Sequence, residues 1–111
     1  MSMEQNKALV RHVLEEIWHG KLDILNDHPG MHESIPFLTT LFSSVKFSRH
    51  EIMQQIAERD WVITRFEADG TTIKDFMGTP AGTSSQVETL MIHRIQDGII
   101  VEQHAQGGRI S

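Results

Sequence analysis

The sequence contains no cysteine, so it offers no disulfide framework, no thiolate metal site and no cysteine nucleophile, and a reducing, cytoplasmic setting is the expectation. It also lacks any apolar run long enough to span a bilayer, and the opening MSMEQNK leads into an amphipathic stretch instead of a signal-like apolar core. Neither secretion nor a membrane partner is expected. Positive charge is scarce as well: 10 Lys and Arg stand against 15 Asp and Glu, for a formal charge of −5, and none of the basic residues cluster. The footprint that draws proteins to nucleic acid is missing, so no such partner is expected.

What is there is an ordinary globular composition, 39% apolar and 23% charged, which indicates neither disorder nor a fibrous repeat. With 111 residues, the chain can fill one core but not two of ordinary size, so a single domain over residues 1–111 with one site is expected.

Along the first segment Leu9, Val10, Val13, Leu14, Ile17 and Trp18 recur at helical spacing, while Arg11, His12, Glu15, Glu16 and His19 take the other face. This predicts a helix closed by Gly20, a residue suited to the left-handed conformation that ends helices. Leu22, Ile24 and Leu25 suggest a brief further helical turn before a fold-back at Asp27, His28, Pro29 and Gly30. A third helix follows from Ile35, Leu38, Leu41 and Phe42, with Pro36 in its first turn, where a missing N–H loses no partner.

From Val45 the period shifts toward two, and β-rich segments are read near residues 45–57, 60–69, 83–96 and 99–106. Helices first and strands afterwards imply an antiparallel sheet. In the second segment Val62, Thr64, Phe66 and Ala68 share the face that suits a core or pocket wall. The run from Phe76 to Ser85 is rich in turn formers and reads as a surface loop. Asp97-Gly98 supplies the two positive-φ residues of a type I′ hairpin. Without a bulge, that turn would pair Arg94 with Val101, His93 with Glu102, Ile92 with Gln103 and Met91 with His104.

Several of these residues also form an ordered pattern: Asn6 to Arg11 opening the first helix, Glu16-Ile17-Trp18 near its end, Gly20-Lys21-Leu22-Asp23 after it, Phe76, Met77, Gly78 and Pro80 in the loop, then Arg94, Asp97, Gly98, Ile100 and Glu102. In order and spacing, over nearly the whole chain, this resembles the SnoaL-like polyketide cyclase family of the nuclear-transport-factor-2-like superfamily. The resemblance implies an α+β cone, a curved antiparallel sheet of about four strands packed on about three N-terminal helices, with an apolar pocket between them and a homodimeric state. Members include polyketide cyclases, an epoxide hydrolase and steroid isomerases.

The chain departs from the family pattern twice. It is a shortened member, abbreviated between Leu25 and Pro29 where a short strand carrying an Asp-His pair would lie. At the final strand, cyclases have Glu-His-Trp-Asp where this chain has Glu102-Gln103-His104-Ala105, so Ala105 occupies the place of the catalytic Asp. A methyl group cannot transfer a proton, and the cyclase mechanism does not carry over.

Under the bulge-free register His93, Glu102 and His104 share one face. They are the candidate catalytic residues, since a carboxylate beside an imidazole orients it as an acid or base; a cross-strand ion pair is the competing reading. The opposite face carries Leu90, Ile92, Arg94, Gln103 and Ala105, a mostly apolar surface with two polar points, which is the make-up of a ligand pocket or of ordinary core. Phe66 joins it from the second strand, Trp18 from the first helix, and His28 as an imidazole near the pocket mouth. No metal and no cofactor are expected. The sequence thus points to a small-molecule-binding domain taking an apolar ligand, a degenerate cyclase without its Asp. Two alternatives stand beside it: a cyclase, isomerase or hydrolase using a relocated His, and a dimeric protein-interaction domain.

Overall fold

The computed structural model describes residues 2–109. Helix α1 spans Met3–Trp18 and opens with a reciprocal cap: the Gln5 amide donates to Ser2 Oγ at 3.1 Å and the Ser2 amide donates to Gln5 Oε1 at 2.9 Å. Gly20 ends it with φ of +82°. Two 3-10 turns, Leu22–Asp27 and Pro29–Ser34, carry the chain to helix α2, Ile35–Ser44. The first of them is the brief turn read from Leu22, Ile24 and Leu25. The second, Pro29–Ser34, stands where the sequence indicates only a fold-back.

Four strands follow, β1 Val45–Glu58, β2 Trp61–Thr72, β3 Ser84–Gln96 and β4 Ile99–Arg109. They pair antiparallel in the order β1-β2-β3-β4, so the α+β class expected from the sequence is the observed one. Three register shifts interrupt the ladders: Ser48 and Met53 are unpaired in β1, and Val101 is unpaired in β4. Each extra residue bends its strand and adds twist, which curls the sheet around the helices.

The bulge at Val101 corrects the bulge-free register of the last hairpin. Gln96 faces Ile99 as expected, but Arg94 pairs with Glu102, His93 with Gln103, Ile92 with His104 and Met91 with Ala105. Its cause is tertiary. The Ile100 amide donates to His28 Nδ1 at 3.0 Å, and Gly30 packs so closely on β4 that a Cβ there would lie 2.3 Å from both Val101 C and Glu102 N. The second 3-10 turn therefore lies directly over β4 at the bulge. Because side chains alternate across a strand, a one-residue slip moves each to the opposite face.

The inner face of the sheet divides into two ends. At the hairpin end Val62, Met91, Ile95 and Ile100 pack against Val10, Val13, Leu14, Ile17, Leu25 and Met31, all buried. Each such aliphatic side chain contributes roughly 1.5–3 kcal/mol by leaving water. At the other end, where Ala68, Gly70 and Thr72 continue β2, the helices stand off from the sheet and a cavity opens. No helix among the described residues is long and apolar enough to cross a membrane.

Candidate functional site

The cavity measures about 510 Å³, within the range of roughly 300–1,000 Å³ usual for small-molecule sites. β2 contributes Phe66, Ala68, Gly70 and Thr72, and β3 adds Ser85, Val87 and Thr89; β4 contributes Ala105 and Gly107. Trp18 at the end of α1, Phe37 and Leu41 of α2, and Val45 and Phe47 of β1 complete the walls, and Phe76, Met77 and Thr79 come from the loop between β2 and β3. Strand alternation explains the set: residues two apart on β2 and β3 point inward together. The lining is aromatic and aliphatic with hydroxyls at Thr72, Thr79, Ser85 and Thr89, and none of the described lining residues has a titratable side chain.

Trp18 organises the inner wall. Its ring meets Phe42 and Phe47 edge to face at 5.1 and 4.5 Å and stacks near Phe66 at 4.9 Å. Such aromatic pairs add about 0.5–1.5 kcal/mol each beyond their buried area, which makes this wall a rigid one.

Of the residues singled out from the sequence, Trp18, Phe66 and Ala105 border this cavity. Leu90, Ile92 and Arg94 lie on the outer face instead, because their inward neighbours on β3 are Met91, His93 and Ile95. Arg94 Nε donates to Glu102 Oε1 at 3.2 Å, and its guanidinium lies 5.9 Å from the Trp61 ring. His28 and His93 are buried in the packed end, at 5% and 0% exposure.

The three candidate catalytic residues do not come together. Glu102 and His104 face outward, with His104 Nε2 2.6 Å from Glu102 Oε2. That contact, with help from Arg94, holds the Glu102 carboxyl below its usual range. His93 points the other way, its Nε2 2.9 Å from Gln103 Oε1, while Gln103 Nε2 donates to Ser34 Oγ at 2.7 Å. Gln103 thus bridges β4 to the second 3-10 turn without bordering the cavity. Burial lowers the His93 pKa against the opposing pull of the Gln103 bond, and burial lowers that of His28 against the attraction of Asp27.

The cavity residues that sequence reasoning missed are mostly β2 and β3 positions beyond residue 68 and the loop. Extending the alternation of Val62, Thr64, Phe66 and Ala68 by two steps reaches Gly70 and Thr72, so that signal was present. Phe37, Phe76 and Met77 left no periodic trace.

Comparison with known proteins agrees with this architecture. AclR from Streptomyces galilaeus superposes with a TM-score of 0.83 at 20% identity, covering 98% of this chain and 82% of that one. TsrD from Streptomyces laurentii gives 0.81 at 19%, covering 96% and 90%. A SnoaL-like polyketide cyclase from Agrobacterium tumefaciens gives 0.80 at 16%, covering 97% and 93%. At such identities the likeness shows the fold alone. No curated protein matches the chain. The sequence model of the SnoaL-like polyketide cyclases matches residues 3–110, and with that match across nearly its whole length the chain belongs to the SnoaL-like polyketide cyclase family.

Proposed function

We propose that this protein binds an apolar, ring-containing small molecule in the cavity between α2 and the open end of the sheet, without transforming it by acid or base catalysis. The observation that carries this reading is the lining itself: aromatic walls, four hydroxyls for orientation, and no titratable group among the described lining residues. Proton transfer needs a group that can gain and lose a proton within reach of the reacting atom. Ala105, at the position where cyclases of the family carry their Asp, borders the cavity and offers only a methyl group.

The test uses Trp18 as reporter in a Trp61→Phe background, titrated with 1-anilinonaphthalene-8-sulfonate as an apolar aromatic probe. Saturable change in Trp18 emission at one probe per chain, abolished when Ala105→Phe and Val87→Phe fill the cavity, supports the reading. Equal binding by the filled variant refutes it. A homodimer through the outer sheet face belongs to the same proposal. Ile56, Ile63 and Ile92 sit opposite one another across β1, β2 and β3 there, and Ile56 and Ile63 are 54% and 40% exposed, an apolar row suited to a second copy.

A further inference from the structure

A second cluster lies outside the cavity, where the last turn of α1 meets β1. Glu15 and His19, one helical turn apart, face His50 of β1, and one ligand atom from each lies within 4.8 Å of the other two. We propose that these three side chains form a binding site for a single divalent transition-metal cation of the zinc type.

Donor chemistry supports this first. Two imidazoles and a carboxylate suit zinc and its borderline neighbours, and leave coordination positions open to water. Geometry supports it second. Metal–ligand distances of about 2.0–2.1 Å place tetrahedral ligands roughly 3.3 Å apart, and His50 Nε2 already stands 3.5 Å from Glu15 Oε2. That separation is long for a hydrogen bond and close to a tetrahedral edge. The remaining closure falls on the Glu15 carboxylate, whose side chain is 47% exposed.

Both rings are also held in place from behind. His19 Nδ1 donates to the Glu15 carbonyl at 2.7 Å, which fixes the tautomer and leaves Nε2 as the free ligand atom, the arrangement that orients metal-bound histidines generally. His50 stacks on Trp18 at 5.6 Å with planes 20° apart, and the two imidazoles meet at 88° with centroids 5.9 Å apart. His19 caps the C-terminus of α1, where the helix dipole presents its negative end and favours a cation. A bound ion would clamp α1 to β1 beside Trp18, outside the wall that faces the cavity.

Tag-free protein titrated with zinc chloride by isothermal titration calorimetry tests this without reference to any cavity ligand. The expected result is one equivalent per chain, with affinity reduced at least about tenfold in each of Glu15→Gln, His19→Gln and His50→Gln. His32→Gln and His104→Gln should bind as the parent does. His50→Gln removes a ring packed on Trp18, so the surface variant His19→Gln is the decisive one, with its circular dichroism spectrum matched to the parent. Lack of stoichiometric binding, or binding that survives His19→Gln, or equal loss in His104→Gln, overturns the proposal.

Discussion

Acidification is expected to destabilise the fold well before its carboxylates protonate, through the two histidines of the packed end. His93 is fully buried, its Nε2 engaged with Gln103 Oε1 and its Nδ1 without a partner. Charging the ring would place a second N–H in the core with no acceptor. His28 uses Nδ1 to accept the Ile100 amide, so a proton on that nitrogen would break the bond that pins the β4 bulge. Both folded-state pKa values are lowered, mainly by burial, while an unfolded histidine titrates near pH ~6.5. Between the lowered values and about 6.5 the unfolded chain therefore binds more protons than the folded one, and stability falls as pH falls. The stability is fully present above about 6.5 and is lost progressively below it. Each histidine that stays neutral contributes up to about 1.4 kcal/mol per pH unit in this window. His93 should deliver more of that than His28, because its ring is fully buried, whereas Asp27 attracts the charged form of His28. From about pH 7.5 to 5.5 the loss has a ceiling of about 2.7 kcal/mol, the limit in which both rings stay neutral throughout, to be set against a typical domain's margin of about 5–15 kcal/mol. Urea unfolding followed by tryptophan fluorescence measures it as a fall in midpoint at unchanged slope. His93→Gln, less stable at neutral pH but unable to titrate, should lose more than half of the pH dependence. A midpoint flat across this range, or a variant as pH-sensitive as the parent, would refute the reasoning.

Other outcomes follow from single contacts. Gly30→Ala puts a methyl group against the backbone of Val101 and Glu102, and thermal melting should show a loss of about 1–3 kcal/mol. Leu25→Ala, at a side chain with no exposure, should cost about 2–5 kcal/mol in urea unfolding. Glu102→Ala and His104→Ala, on the outer face, should leave probe affinity in the cavity unchanged; a drop in either would revive a relocated catalytic histidine. Ile63→Lys should shift the mass seen by light scattering toward the monomer, and an unaltered dimer would place the interface elsewhere.

Much of the fold was readable because period and turn chemistry are local. The apolar stripe of α1 and the alternation of β2 fixed which sides face the core, and Asp97-Gly98 located the hairpin. The candidate site was less legible, and one residue explains why. Val101 has nothing in its own chemistry that marks a bulge; it is bulged because His28 and Gly30, some seventy residues earlier in the chain, dock on that edge. The slip shifts β4 by one residue against β3, so that Gln103 and Ala105 share the inner face with His93 while Glu102 and His104 join Ile92 and Arg94 on the outer one, and His93 is separated from Glu102. In the metal cluster, the helical spacing of Glu15 and His19 was visible in the sequence, but His50 joins them only through the packing of β1 on α1.

The small residues around the cavity separate two properties that are usually entangled. The packed end holds the sheet on α1, whereas Ala68, Gly70, Ala105 and Gly107 border an open space by leaving it unfilled. At Ala105, which is exposed, a larger side chain would grow into that space, shortening or narrowing the guest that fits while the packed end stays as it is; Ala68 is fully buried, and a larger side chain there would have to displace its neighbours. Gly70 is more constrained, since a Cβ there would press on Phe47 and Val45 at 2.9 Å. On the binding role proposed above, the preferred guest is therefore open to change by one or two substitutions at low cost to folding, which lets a single scaffold diverge toward new molecules without first becoming unstable.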